Sequence, residues 1–320
     1  MIDTVPPSID VSELENQLRQ GLVAGNAAAE TVVPILRHLL ANRSNSLFGD
    51  EILARVRGML GDVVVQLLER AGADSAAAEP IREENIETLT ETLACNGAFI
   101  GHLHALAFEW QLTERLQARI GTDPVLTPLL QALIASRDGA TAALAMRFLA
   151  SQARFCQTQR RMTLPLSELP GDLLHMALLA MRSVFSQQEA GDQEAASREA
   201  QIRADYSEDD TRSGMISRLV LSLGSEAMAA LSITNAGLAI FLSALSIGSG
   251  IDREAATLAT NDAQAVRLAL LLRAAGLKPN LVAEQVLSFH PDFDVPEGFD
   301  QIGPDQAAAL LVSGCGIAGA

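Results

Sequence analysis

The chain has 320 residues, of which 23 are basic and 39 are acidic, so its net charge at pH 7 is −16. This charge excludes general binding of nucleic acids or anionic membranes, because both depend on attraction to phosphate groups. Hydrophobic residues make up 48% of the chain, but aromatic residues only 4%. Sheet proteins use more aromatic and β-branched residues, whereas alanine and leucine favour helices. The composition therefore predicts an all-α protein and excludes disordered, collagen-like and disulfide-rich classes.

In the first half of the chain, apolar residues recur at helical spacing and polar capping residues precede each run. Predicted helices begin near Ser12, Thr31, Asp50, Pro80 and Asn96-Gly97, and the last of these ends at Gly121. Asp123-Pro124 predicts the next helix start, because an aspartate caps a helix and a proline fits its first turn. Asp138-Gly139 predicts a further helix that runs to about Arg161.

The pattern of apolar residues at helical spacing is interrupted after this helix. Residues 163–170 contain two prolines and cannot be helical throughout. We therefore predict two lobes, a bundle-like N-terminal helical lobe over residues 1–162 and a C-terminal lobe over residues 163–320. An apolar helix is predicted over residues 171–185, and the polar stretch 186–212 is predicted to form an exposed helix and a loop, with a flexible linker as the alternative. Glu208-Asp209-Asp210 is predicted to cap a helix that begins near Thr211.

Residues 227–251 form an uncharged stretch long enough to be tested as a membrane span. Polar residues and glycines leave an unbroken helical part of only about 18 Å, against the ~30 Å of a bilayer core. We predict a buried core helix and no membrane span, with a membrane segment as the alternative.

The same region contains an internal repeat. Thr234-Asn235 recurs as Thr260-Asn261, an offset of 26 residues. Further matches at this offset are Ala239 and Ala265, Ile240 and Val266, Leu242 and Leu268, Leu245 and Leu271, and Gly250 and Gly276. Each unit is predicted to be a capped helix, a glycine turn and a second helix. Because one such hairpin cannot bury both its faces, we predict that the C-terminal lobe consists of stacked helical hairpins, as in HEAT-like α-solenoids.

Two stretches carry a family resemblance. The segment from Arg154-Phe155 through Arg160-Arg161 to Pro170, and the run Ala236 to Leu242 with its echo Arg273 to Leu277, resemble bacterial proteins catalogued as domain of unknown function 2336. The resemblance covers residues 150–311 approximately and includes no catalytic signature. It implies a helical, repeat-like protein without an established activity.

An arginine stripe is the best candidate binding site. No acidic residue occurs from Gly139 to Ser167, but this stretch contains Arg147, Arg154, Arg160 and Arg161. Three of these arginines are seven residues apart and so lie on one helical face. Guanidinium groups at this spacing can hold phosphates, a nucleotide or an acidic partner segment. In a protein with this negative charge, however, such arginines more commonly pair with carboxylates of neighbouring helices, and this structural interpretation is the preferred one.

No other motif predicts a catalytic or metal site. His102 and His104 are about 200° apart around a helix, so they point to opposite faces and cannot form a zinc pair. The sequence has no dinucleotide-binding glycine motif, phosphate-binding loop or nucleophile elbow. We therefore predict no catalytic residues, no metal site and no cofactor. The cysteines Cys95, Cys156 and Cys315 form no Cys-x-x-Cys pair, and no secretion signal follows Met1, which predicts a cytoplasmic protein.

The preferred function is that of a non-enzymatic cytoplasmic scaffold or regulatory protein that binds a partner protein through its helical-repeat surface. One alternative is a receptor for an anionic small molecule, such as a nucleotide, that binds at the arginine stripe. A second alternative is an enzyme without a recognisable motif, which is not favoured. A homodimer is also left open, because alanine-rich helical faces pair readily.

Overall fold

The structure is a computed structural model that describes residues 11–41, 49–69, 83–185 and 191–315. Over these residues it contains fifteen α-helices and no strand, so the predicted all-α fold is confirmed. The helices of the first half are α1 Val11–Glu30, α2 Val32–Ala41, α3 Asp50–Glu69, α4 Glu83–Ala94, α5 Gly97–Ile120, α6 Pro128–Ile134, α7 Gly139–Arg161 and α8 Gly171–Phe185. Those of the second half are α9 Gly191–Asp205, α10 Arg212–Ser222, α11 Ile233–Ser249, α12 Arg253–Leu258, α13 Ala265–Ala274, α14 Pro279–Phe289 and α15 Pro304–Cys315.

Side-chain caps set where several helices begin. The side chain of Asn96 accepts a hydrogen bond from the backbone N–H of Phe99, and α5 follows it. Asp138 accepts from the N–H groups of Ala140 and Thr141 and so opens α7 where the sequence predicted. These bonds satisfy N–H groups that have no partner within the first helical turn.

The predicted helix start at Asp123-Pro124 is wrong. The carboxylate of Asp123 accepts hydrogen bonds of 2.8 Å from the N–H groups of Val125 and Leu126, and this closes a turn rather than a helix. The helix α6 begins later, where Thr127 caps it and Pro128 occupies its first turn. Both sites have the same cap-and-proline pattern, and only the second continues as a helix.

The polar segment before α10 also differs from the prediction. Glu208–Asp210 forms a single 3-10 turn, and Thr211, rather than the acidic residues, caps α10 by accepting a hydrogen bond from the N–H of Gly214. The preceding stretch forms α9, so the predicted helix is present, but it is only partly exposed, because Ala195, Arg198 and Ile202 are buried.

The uncharged helix α11 lies in the protein core, since every residue from 236 to 245 is buried. Its backbone is broken at Gly237, which has φ 71° and ψ 167°. Among the described residues no single helix is long and apolar enough to cross a membrane. The helices Arg212–Ser222 and Gly224–Leu231 meet the length and composition criteria only as a pair, and the chain bends by 120° between them.

The two units of the 26-residue repeat have similar backbones. Gly250 and Gly276 follow α11 and α13 and have φ angles of 73° and 92°, so a left-handed glycine ends the first helix of each unit. The break at Gly237 corresponds, at the same offset, to Ala263 in the 3-10 turn Asp262–Gln264 that precedes α13. The units also touch, because a Cβ placed on Gly248 would lie 2.9 Å from Cβ of Ala275. HEAT-like stacking of further hairpins remains a prediction.

Buried apolar residues form two clusters. Core A joins α1, the second half of α5, α6, the first half of α7 and α10 to α15. Core B joins α2, α3, α4, the first half of α5, the end of α7, the segment 164–169, α8 and α9. The helix α1 therefore packs with C-terminal helices, whereas α8 and α9 pack with N-terminal ones. The predicted lobe boundary between residues 162 and 163 does not coincide with the division between the cores, and the two lobes remain a prediction.

Candidate functional site: the exposed face of α7

The helix α7 divides into a buried and an exposed side. Ala145 and Phe148 are buried in core A, Phe155 and Cys156 are buried in core B, and Gln152 is buried between them in sequence. On the opposite side, exposed residues recur every three or four positions. This α7 face consists of Ala143, Arg147, Ala150, Arg154, Gln157 and Arg161. Three of the four predicted arginines therefore share one exposed face, and Arg160 is exposed beside it.

Two of the four predicted arginines are engaged within the protein. Arg147 donates to the carboxylate of Asp210, which precedes α10. The guanidinium carbon of Arg160 lies 5.7 Å from the ring centre of Trp110, and Arg55 approaches the same ring at 5.5 Å. These are cation–π distances, and they hold Arg160 against a buried side chain.

The other two arginines project into solvent. Arg154 and Arg161 make no hydrogen bond or ion pair with any residue that the structure describes. Pairing with carboxylates of neighbouring helices, the interpretation that the sequence favoured, thus applies to Arg147 alone of the four arginines within the described residues. The alanines between the arginines are small, so another helix can approach this face closely.

A second charged cluster is buried near α7, and the sequence did not reveal it. Glu109 on α5 is 1% exposed and lies between Arg212 and Arg253. Arg212 donates to both carboxylate oxygens at 2.8 to 3.0 Å, and Arg253 donates to both at 2.8 and 2.9 Å. Gln152 of α7 accepts a further hydrogen bond from Arg212 at 2.9 Å.

The two arginines keep Glu109 ionised. Burial alone would raise the pKa of Glu109, but the charges and hydrogen bonds of Arg212 and Arg253 hold this pKa well below its usual range. The guanidinium of Arg212 also lies 3.7 Å from the ring centre of Phe155. Because the carboxylate is sealed and fully hydrogen-bonded, it has no lone pair left for a substrate, and the cluster joins helices rather than performing catalysis.

The sequence contains one local signal that could have indicated this cluster. Glu109 stands between Phe108 and Trp110 in an otherwise apolar stretch of α5, and a carboxylate in such a stretch requires buried partners. Its partners are 103 and 144 residues away in sequence, so spacing along the chain does not identify them.

The histidines of α5 make different contacts. His102 lies 2.8 Å from Oε1 of Glu254 and lowers the pKa of that carboxylate to about 2. His104 lies against Phe108, with ring centres 6.3 Å apart. Within the described ranges, no group of three or more His, Cys, Asp or Glu side chains is arranged to hold a metal ion.

Comparison with protein-family models, with curated proteins and with solved structures gives no match to this chain. The resemblance to domain of unknown function 2336 therefore stays a prediction.

Proposed function

We propose that this protein is a non-enzymatic regulatory or scaffold protein that binds an acidic helix of a partner protein on the α7 face. The observation that carries the proposal is the exposure of Arg154 and Arg161 without an acidic partner among the described residues. The chain as a whole is strongly acidic, with a net charge of −16. A basic face on an acidic protein attracts acidic partners to one place and repels them elsewhere.

The shape of the face supports a helical partner. Arg147, Arg154 and Arg161 are about two helical turns apart. Ala150 lies on the turn between the first two arginines and Gln157 on the turn between the last two, while Ala143 lies one turn before Arg147, so uncharged side chains alternate with the basic ones. A partner helix can lie close to the alanines while its glutamates reach the guanidinium groups on either side. Arg147, which already pairs with Asp210, contributes less than Arg154 and Arg161.

A peptide-binding experiment tests the proposal. The probe is a fluorescent helical peptide of alanine and glutamate with the glutamates on one face, and binding is followed by fluorescence anisotropy. We expect the affinity to fall as salt is added, because exposed charges are screened. The double variant R154E/R161E should weaken binding by more than about tenfold, because it replaces two attractions with two repulsions.

The control is the double variant R137E/K278E. Arg137 and Lys278 are exposed and lie outside the α7 face. Replacing both by glutamate changes the net charge of the protein by the same amount as R154E/R161E does. This variant should bind as the unchanged protein does. Equal loss of affinity in both variants would mean that only total charge matters, and the α7 face would not be the site.

The nucleotide-receptor alternative gives a different result. If a nucleotide raises the melting temperature and Arg154→Ala abolishes that shift, the stripe binds a small anion and the partner proposal is wrong. Under the partner proposal, nucleotides leave the melting temperature unchanged while the acidic peptide raises it.

A further inference from the structure

A second charged face, of opposite sign to the α7 face, lies on α4. This α4 face consists of Glu83, Glu84, Glu87 and Glu91, which are exposed and lie on one side of the helix because they are spaced at three and four residues. The helix contains no basic residue. The four carboxylates make no hydrogen bond or ion pair with any residue that the structure describes.

Glutamates on other helices are neutralised within their own helix. Three of them pair with an arginine four residues further on, namely Glu15 with Arg19 on α1, Glu51 with Arg55 on α3 and Glu199 with Arg203 on α9. On α4 the residues at this spacing are again glutamates, and like charges at this spacing repel each other. Positive charge from another surface would remove this repulsion.

The α4 face and the α7 face have the same spacing. Glu84 and Glu91 are seven residues apart, as are Arg154 and Arg161, so each pair spans about 10 Å along its helix axis. Two helices laid side by side therefore place both glutamates opposite both arginines. Gln157, between the arginines, has an amide group that can donate to a further carboxylate.

The two faces belong to different parts of one molecule. The helix α4 packs against α3, α5 and α8, whereas α7 packs mainly against α6 and α10. Within the described ranges no ion pair joins the two faces, so a contact between them requires two molecules. Copies with a net charge of −16 repel each other over most of their surface, and this directs their approach to places where opposite charges meet.

We propose that the partner of the α7 face is a second copy of this chain, whose α4 face lies along it with Glu84 and Glu91 opposite Arg154 and Arg161. This inference rests on the proposed function and names the partner. Because the two faces differ, each copy carries both halves of the contact. Exposed ion pairs are individually weak, so the association depends on protein concentration and on salt.

The test measures self-association of the full chain by sedimentation equilibrium over a range of protein concentrations. The average mass should rise with protein concentration, and less so at high salt. The variants R154E/R161E and E84R/E91R should each weaken self-association by at least about tenfold, because each brings like charges together. E84R/E91R makes the protein less negative, which by itself favours association, so a loss in this variant comes from the α4 face.

Charge reversal on both sides provides the rescue. An equimolar mixture of R154E/R161E and E84R/E91R should associate again, because the acidic α4 face of the first variant meets the basic α7 face of the second. The matched control is E226R/E297R, which changes the net charge as E84R/E91R does but replaces exposed glutamates outside both faces. This control should associate at least as tightly as the unchanged chain. Circular dichroism checks that each variant is folded.

The outcomes separate this inference from the proposed function. If the chain stays monomeric at every concentration while the acidic peptide still binds the α7 face, the second copy is not the partner and only this inference is wrong. Self-association that E84R/E91R does not weaken would also overturn it, because another surface would then make the contact. If neither the peptide nor a second copy binds, both proposals are wrong.

Discussion

At the residue scale, one cluster of charged side chains is buried between helices. Glu109, Arg212 and Arg253 come from α5, α10 and α12, so their hydrogen bonds tie three helices together close to α7. Moving two arginines and a glutamate out of water is unfavourable, and their mutual attraction offsets this only while all three are present. Each of these side chains is therefore more sensitive to substitution than an exposed charge.

Glu109→Gln should lower the free energy of unfolding by about 3 to 5 kcal/mol, because it keeps the shape of the side chain but leaves two buried guanidinium groups without a countercharge. The measurement is urea denaturation followed by circular dichroism. Glu114→Gln serves as the control on the same helix: its side chain is 48% exposed, and its loss should change the free energy by less than about 0.5 kcal/mol. If the two variants were equally stable, the buried cluster would contribute nothing beyond a surface pair.

At the element scale, the break in α11 depends on a single glycine. Gly237 has φ 71° and ψ 167°, a region that residues with a Cβ do not readily adopt. Thr127, the cap of α6, approaches so closely that a Cβ on Gly237 would lie 2.3 Å from its Cγ2 atom. The break at Gly237 lies at the position that corresponds, 26 residues later, to Ala263 in the turn before α13. Because glycine has no side chain, the break also allows Thr127 of the α6 cap to pack against α11.

Gly237→Ala should destabilise the protein by about 2 to 4 kcal/mol, since it combines backbone strain with a steric clash. Gly101→Ala on α5 is the control, because nothing lies within 4 Å of its added Cβ and alanine favours a helix. This control should be unchanged or stabilised by up to about 1 kcal/mol. Thermal unfolding compares both variants with the unchanged chain. An unaltered melting temperature for Gly237→Ala would mean that the break is not required.

Helix starts show how far local signals extend. Asp138 and Thr127 each cap a helix, while Asp123, with the same chemistry and a following proline, closes a turn. A capping side chain satisfies the N–H groups after it in either case. Whether the chain continues as a helix depends on what the next residues pack against, and the sequence pattern at Asp123 does not contain that information.

At the scale of the whole molecule, both cores contain helices from the N-terminal and from the C-terminal half of the chain. Leu14, Leu18 and Leu22 of α1 are buried in core A with helices from the far end of the chain. Residues of α8 and α9 are buried in core B with α3 and α4. The helix α5 lines both cores, with Leu103 in one and Leu112 in the other. Neither core can be complete without residues from both sides of the predicted lobe boundary.

The fragment 163–320 should therefore not unfold cooperatively by itself, because it lacks α1 from core A and exposes the apolar face of α8. Equimolar mixing with the fragment 1–162 should restore the helix content and a cooperative transition, measured by far-UV circular dichroism during heating. The full chain at the same concentration is the reference. Cooperative unfolding of 163–320 alone would support two independent lobes and contradict this expectation.

The sequence by itself determined the all-α class, most helix bounds and the glycine turns of the repeat. It also predicted correctly that the arginines at seven-residue spacing share a helical face. These features depend on residues within one or two turns of each other, where composition, periodicity and capping act directly.

The tertiary structure alone decided that Arg154 and Arg161 are exposed while Arg147 pairs with Asp210. It also decided the partners of Glu109 and the exposure of the α4 face. Those features arise from contacts between residues far apart in the chain, and such contacts follow from how the helices pack rather than from any local pattern.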